Sequence, residues 1–158
     1  MTLDQPFHIV LIEPEIPPNT GNVARLCAAT GTVLHLVGKL GFSLDDRYLK
    51  RAGLDYWPHV QLKRWESLEE VKAAHPDGRF WYTSKKAVCA HTEVNYRAGD
   101  FLVFGKETLG LSDELLTEHQ DFTIRIPIFN NAVRSLNLAT AAGIVLYEAL
   151  RQTDALNP

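Results

Sequence analysis

The chain has 158 residues and a net charge of −3, enough length for one domain with a real core and too little for two comfortable ones. Its 46% hydrophobic and 22% charged residues are those of an ordinary globular protein, and no apolar run approaches the ~20 residues of a membrane span. The acidic balance argues against a generic nucleic-acid coat but leaves a local basic patch open. No basic segment followed by an apolar one opens the chain, so Cys27 and Cys89 read as reduced thiols of a cytoplasmic protein.

In chain order, Phe7–Ile12 reads as a strand and Asn19–Thr30 as a helix with Asn19 as its N-cap. Between them, Pro14, Pro17 and Pro18 stiffen the entry to the helix. Asn22 and Arg25 are three apart and share one helix face, which is either a solvated surface or a donor face suited to phosphate. Val33–Val37 reads as a second strand. Lys50-Arg51 ahead of Gly53, Tyr56 and Trp57 fits either a cationic helix end capped by the glycine or an RNA-stacking patch.

Val60–Leu62 is a short strand candidate, and Ser67 with Glu70 has capping-box spacing for a helix to about His75. Arg79–Thr83, Phe101–Phe104 and Phe122–Ile126 are further strands, with a helix starting after Ser112. Gly105-Lys106-Glu107-Thr108-Leu109-Gly110 lacks the lysine placement of a phosphate loop, so it is either a flexible turn or a loop gripping a small ligand. After the last strand, Asn130, Asn131, Arg134, Ser135 and Asn137 crowd before a helix over Ser135–Gln152, where α/β proteins place ligand sites.

Alternating strands and helices predict an α/β fold, a mostly parallel sheet with helices on both faces. A single domain over 1–152 with a short tail over 153–158 is expected. No G-x-G-x-x-G follows a strand, no G-x-S-x-G surrounds Ser135, and the six histidines lack metal-ligand spacing.

Three segments in order, Pro14–Arg25, Leu102–Leu111 and Ile126–Ala142, together resemble the motifs of the SPOUT family of RNA methyltransferases. Arg51-Ala52-Gly53-Leu54-Asp55-Tyr56 is similar to its minimal members, which methylate the ribose 2′-OH of the wobble nucleotide, cytidine or a modified uridine, in the tRNA anticodon loop. The resemblance implies a C-terminal trefoil knot, an exception to the rule against threading. It implies S-adenosylmethionine as methyl donor, held by Tyr82, Thr83, Gly105, Glu107, Ile126, Ser135 and Leu136, with no metal.

Arg25 would act in catalysis, with Asn22, Ser135 and Asn137 orienting ribose and arginine. A guanidinium is a poor general base, so gripping phosphate and stabilising an incipient alkoxide suits it better. Arg25, Lys50 and Arg51 would bind RNA, and a homodimer with the final helix in its interface would complete the site. A 2′-O-methyltransferase of ribosomal RNA or another tRNA position is the alternative, and a knotted RNA-binding protein without catalysis is a third. Leu109 stands where many relatives carry arginine, and the 129–133 loop varies among them.

Overall fold

The computed structural model describes residues 5–156, without the side chains of residues 53–55. Six strands, β1 (His8–Ile12), β2 (Val33–Val37), β3 (Gln61–Trp65), β4 (Phe80–Thr83), β5 (Phe101–Phe104) and β6 (Thr123–Ile124), form one sheet in the order β3-β2-β1-β5-β4-β6. Every pairing is parallel, as expected from the strand–helix alternation. Four helices lie in the crossovers, α1 (Pro17–Thr30), α2 (Arg47–Gly53), α3 (Leu68–Ala74) and α4 (Asp113–Glu118), and α5 (Leu138–Gln152) follows the last strand.

The central strands are apolar runs because both their faces are covered. Alternation sends Ile9, Leu11, Leu34, Leu102 and Phe104 into a core with α1 and α5. Val10, Val37, Tyr82, Phe101 and Val103 face the other way, beneath α3 and α4.

Several boundaries differ from the sequence expectation, each for a local reason. Helix α1 begins at Pro17, because two prolines fill its first positions, where an amide would lack a partner anyway. Ile16 is therefore the N-cap, and Asn19 lies inside the first turn. Helix α5 begins at Leu138, where the Asn137 side chain caps it by accepting from Ala139 N and Thr140 N. Strand β3 extends to Trp65 as an edge with exposed Lys63 and Arg64. Strand β6 is only two residues, since a 3₁₀ turn takes Gln120–Phe122 and Arg125 turns away to another partner.

That partner is the long connection 84–100. Arg125 N donates to Cys89 O at 2.9 Å, His91 N donates to Arg125 O at 2.7 Å, and the Arg125 guanidinium donates to the carbonyl of Val88. From the other side, Gln152 of α5 donates to Val94 O and accepts from Tyr96 N, at 2.9 and 3.0 Å. The connection is thus clasped both by the segment entering the last motif and by the helix leaving it.

Candidate active site

Strand β1 leads out to β2 on one side of the sheet, while its other neighbour, β5, arrives from later in the chain. The carboxyl ends of β1 and β5 flank this change of direction, the place where open parallel sheets bind ligands. A cleft of about 620 Å³ lies there. Its walls come from the residues after β1, β4, β5 and β6 and from the start of α5, including Asn19, Thr83, Gly105, Ile126, Ser135 and Leu138.

One acidic side chain joins the walls. The Glu107 carboxylate accepts from Glu15 N at 2.9 Å, Ile16 N at 2.8 Å and Asn19 Nδ2 at 3.2 Å. Helix α1 has no capping side chain of its own and no acid in its first turn. A carboxylate from the β5 loop supplies the charge that a helix start favours.

The tie is reciprocal, because Glu15 accepts from Thr108 N at 3.0 Å and Thr108 Oγ1 at 2.7 Å. Those two bonds hold the Glu15 carboxyl below the usual glutamate range. Asn19 then passes the connection on: its Oδ1 accepts from Asn137 Nδ2 at 2.8 Å, while Asn137 Oδ1 caps α5. The amide orientations follow from these partners, since Asn137 cannot cap with its nitrogen.

The glycine loop is folded tightly on itself. Gly110 N donates to Lys106 O at 2.8 Å, and a Cβ on Gly105 would sit 2.1 Å from the Gly110 carbonyl carbon. No side chain fits at Gly105, where the two ends of the loop come into contact. Gly110 itself adopts φ +68°, the left-handed region. Lys106 Nζ lies 3.6 Å from the Glu13 carboxylate.

Of the residues expected at the site, Thr83, Gly105, Glu107, Ile126, Ser135, Leu136 and Asn137 all line the cleft. Tyr82 does not. Strand alternation turns its ring into the opposite core, stacked on His119 at 4.5 Å, and burial pushes its phenol well above the usual range. Glu107 is an acceptor as expected, but its three described partners are protein groups, so it fastens the walls to one another.

Asn22 and Arg25 are exposed on α1 and are not among the cleft's walls. The amide that α1 does deliver is Asn19, expected as the helix cap at the start of the Asn22–Arg25 donor face. The signal was present: prolines at 17 and 18 push the helix start back and make Asn19 the third helical residue. Lys106 and Arg134 also line the cleft and place positive charge on its rim.

Lys50 and Arg51 are exposed on α2, with Lys50 3.5 Å from Asp45. Trp57 donates to Lys50 O at 3.3 Å, so this aromatic does pack under the helix end. Gly53, Leu54 and Asp55 of that stretch have side chains outside the described residues. Among the described residues no group of His, Cys, Asp and Glu is placed to hold a metal ion, and no helix is long and apolar enough to cross a membrane.

Residues 6–147 match the SpoU rRNA Methylase family. The chain is 48% identical over 149 residues to the tRNA (cytidine(34)-2'-O)-methyltransferase of Methylovorus glucosotrophus, covering 94% of this chain and 96% of that one. It is 50% identical over 151 residues to the protein of the same name from Saccharophagus degradans, covering 92% and 95%. A solved structure described as giving structural insights into the 2-OH methylation of C/U34 on tRNA matches with a TM-score of 0.88 at 46% identity, covering 94% of this chain and 96% of that chain. The SpoU methyltransferase AviRb from Streptomyces viridochromogenes, in complex with AdoMet, matches with a TM-score of 0.82 at 28% identity, over 95% of this chain and 62% of that chain.

Proposed function

The chain belongs to the SpoU rRNA methylase family, and on that premise we propose that it methylates the ribose 2′-OH of the wobble nucleotide, position 34, of tRNA in the cytoplasm. The observation that carries this reading is the Glu107–Asn19–Asn137 junction, which binds three separate motifs into one rim around the cleft. A non-catalytic RNA-binding protein would have no use for a cofactor-sized cleft inside such a rim. The names of close relatives point to tRNA position 34 over ribosomal RNA.

The cleft suits S-adenosylmethionine. Its volume lies within the range of cofactor sites, Ile126, Leu116 and Leu138 offer apolar wall for an adenine, and Lys106 and Arg134 offer charge for a carboxylate. Gly105, Thr83, Ser135 and Leu136 would hold it by backbone groups and the serine hydroxyl, and when bound it supplies an electrophilic methyl group.

The chain's own residues do the positioning. In-line transfer needs the nucleophile about 3–3.5 Å away on one axis, so rigidity of the rim is itself catalytic in effect. The Glu107 and Asn137 bonds supply it. Ser135, exposed and lining the cleft, is assigned to orienting the ribose. Arg25 is assigned to the RNA phosphate and the developing alkoxide, since a guanidinium donates well and abstracts protons poorly.

Because Arg25 and Asn22 stand outside the cleft of their own protomer, the reading requires a homodimer in which they serve a partner's cleft. Exposed Phe129 and Tyr147, the latter on α5, support such an interface. The hold of Arg125 and Gln152 on the 84–100 connection is consistent with the trefoil threading. A single domain over 1–152 remains part of the proposal, as do Lys50 and Arg51 in tRNA binding. Nucleoside mass spectrometry of tRNA from cells lacking the protein tests the assignment. Loss of a 2′-O-methylated nucleotide at position 34 is expected; an unchanged tRNA profile rejects it.

A further inference from the structure

Arg25 is exposed, and among the described residues its one recorded interaction is with an aromatic ring: its guanidinium carbon lies 5.4 Å from the ring centroid of Tyr56. Tyr56 belongs to the 3₁₀ segment Leu54–His59 that packs on α1, and its ring is 41% exposed. Next to the tyrosine, Trp57 donates to Lys50 O, which ties the segment to the end of α2, itself held by buried Leu49.

We propose that Tyr56 is a positioning residue, whose ring face holds the Arg25 guanidinium in the orientation that meets the RNA; the inference rests on the role given to Arg25 above. A carboxylate could also fix an arginine, but it would neutralise the charge and occupy the N–H groups. A ring does neither. Cation–π attraction keeps the positive charge and uses no oxygen acceptor, so N–H donors stay available for phosphate and ribose oxygens. An unsupported arginine on a helix surface would instead spread over many rotamers, and few of those would be productive.

The test uses the full chain with tRNA and labelled S-adenosylmethionine, comparing Tyr56→Phe, Tyr56→Leu and Tyr56→Met, with Arg25→Ala alongside. Tyr56→Phe keeps the ring and is expected to stay within about 2-fold of wild type. Tyr56→Leu and Tyr56→Met are expected to lose roughly 10-fold in kcat while the Kd for the methyl donor and the unfolding midpoint stay unchanged. Two independent ring-free variants keep the result readable should one fold poorly. Wild-type kcat in both, or a loss in Tyr56→Phe as large as in Tyr56→Leu, overturns the inference. Full activity of Arg25→Ala overturns the reading of Arg25 itself, whereas inactive Arg25→Ala with active Tyr56→Leu sinks only the role of Tyr56.

Discussion

Each oxygen of the Glu107 carboxylate faces a backbone N–H, and one of them also meets the Asn19 amide. Glutamine at this position would point its NH₂ group at a donor. Glu107→Gln is therefore expected to cost about 1–3 kcal/mol of stability and to weaken methyl-donor binding, read by denaturant unfolding and titration calorimetry. A variant with both properties intact would mean that the carboxylate is not the joint. Arg25 makes a second case. If its planar fork is what the RNA requires, Arg25→Lys loses at least about 10-fold in kcat at every pH, with no change in the shape of the pH–rate profile. A lysine variant near wild-type activity would show that charge alone suffices.

Helix α5 is where local stability and site geometry meet, because Asn137 both caps the helix and holds Asn19. Asn137→Asp keeps an oxygen for the cap and removes the donor to Asn19; Asn137→Ala removes both. The aspartate variant keeps the cap but sets an oxygen against Asn19 Oδ1, so it should lose activity and about 1–3 kcal/mol of stability, while the alanine variant loses about 1 kcal/mol with its cap. Equal activity in the wild type and the aspartate variant would separate Asn137 from the site.

At this scale the fold was largely legible. Val33–Val37 and Phe101–Phe104 announce themselves because both of their faces are buried, and Ser67 and Ser112 cap the helices they were expected to cap. The edge strand β3 was harder, since Gln61, Lys63 and Arg64 look to solvent and break the apolar run. The site was legible as segments but not as a junction. Glu107 and Asn19 meet across 88 positions of chain, and no local spacing encodes such a contact. The side chain of Tyr82 shows the same limit: proximity in sequence to Thr83 says nothing of which sheet face a ring takes.

For the whole molecule, a buried histidine cluster sets the response to acid. Trp65 Nε1 donates to His35 Nδ1 at 2.9 Å, so the other nitrogen of His35 carries the proton it shares with His8 Nδ1, also at 2.9 Å. Both acceptor nitrogens of the neutral rings are used, and a further proton on either would set N–H against N–H. Burial first, then His75 and Lys63, hold His8 at about 4; burial, then His8, His75 and Lys63, hold His35 at about 3. Both lie below the ordinary 6.5 of an unfolded chain, so unfolding takes up protons between those limits. Stability is thus full above about pH 6.5 and falls as pH drops toward 4. The midpoint of thermal unfolding should follow that course, with a shallower slope in His8→Phe; a flat profile over this range would contradict it.

The central claim concerns one oxygen atom on one nucleotide. Purified protein, labelled S-adenosylmethionine and two tRNA transcripts, identical except that one carries a 2′-deoxynucleotide at position 34, put it to the test. Label should enter the ribose of nucleotide 34 in the first transcript and be absent from the second. Equal labelling of both transcripts would place the methyl group elsewhere and contradict the assignment.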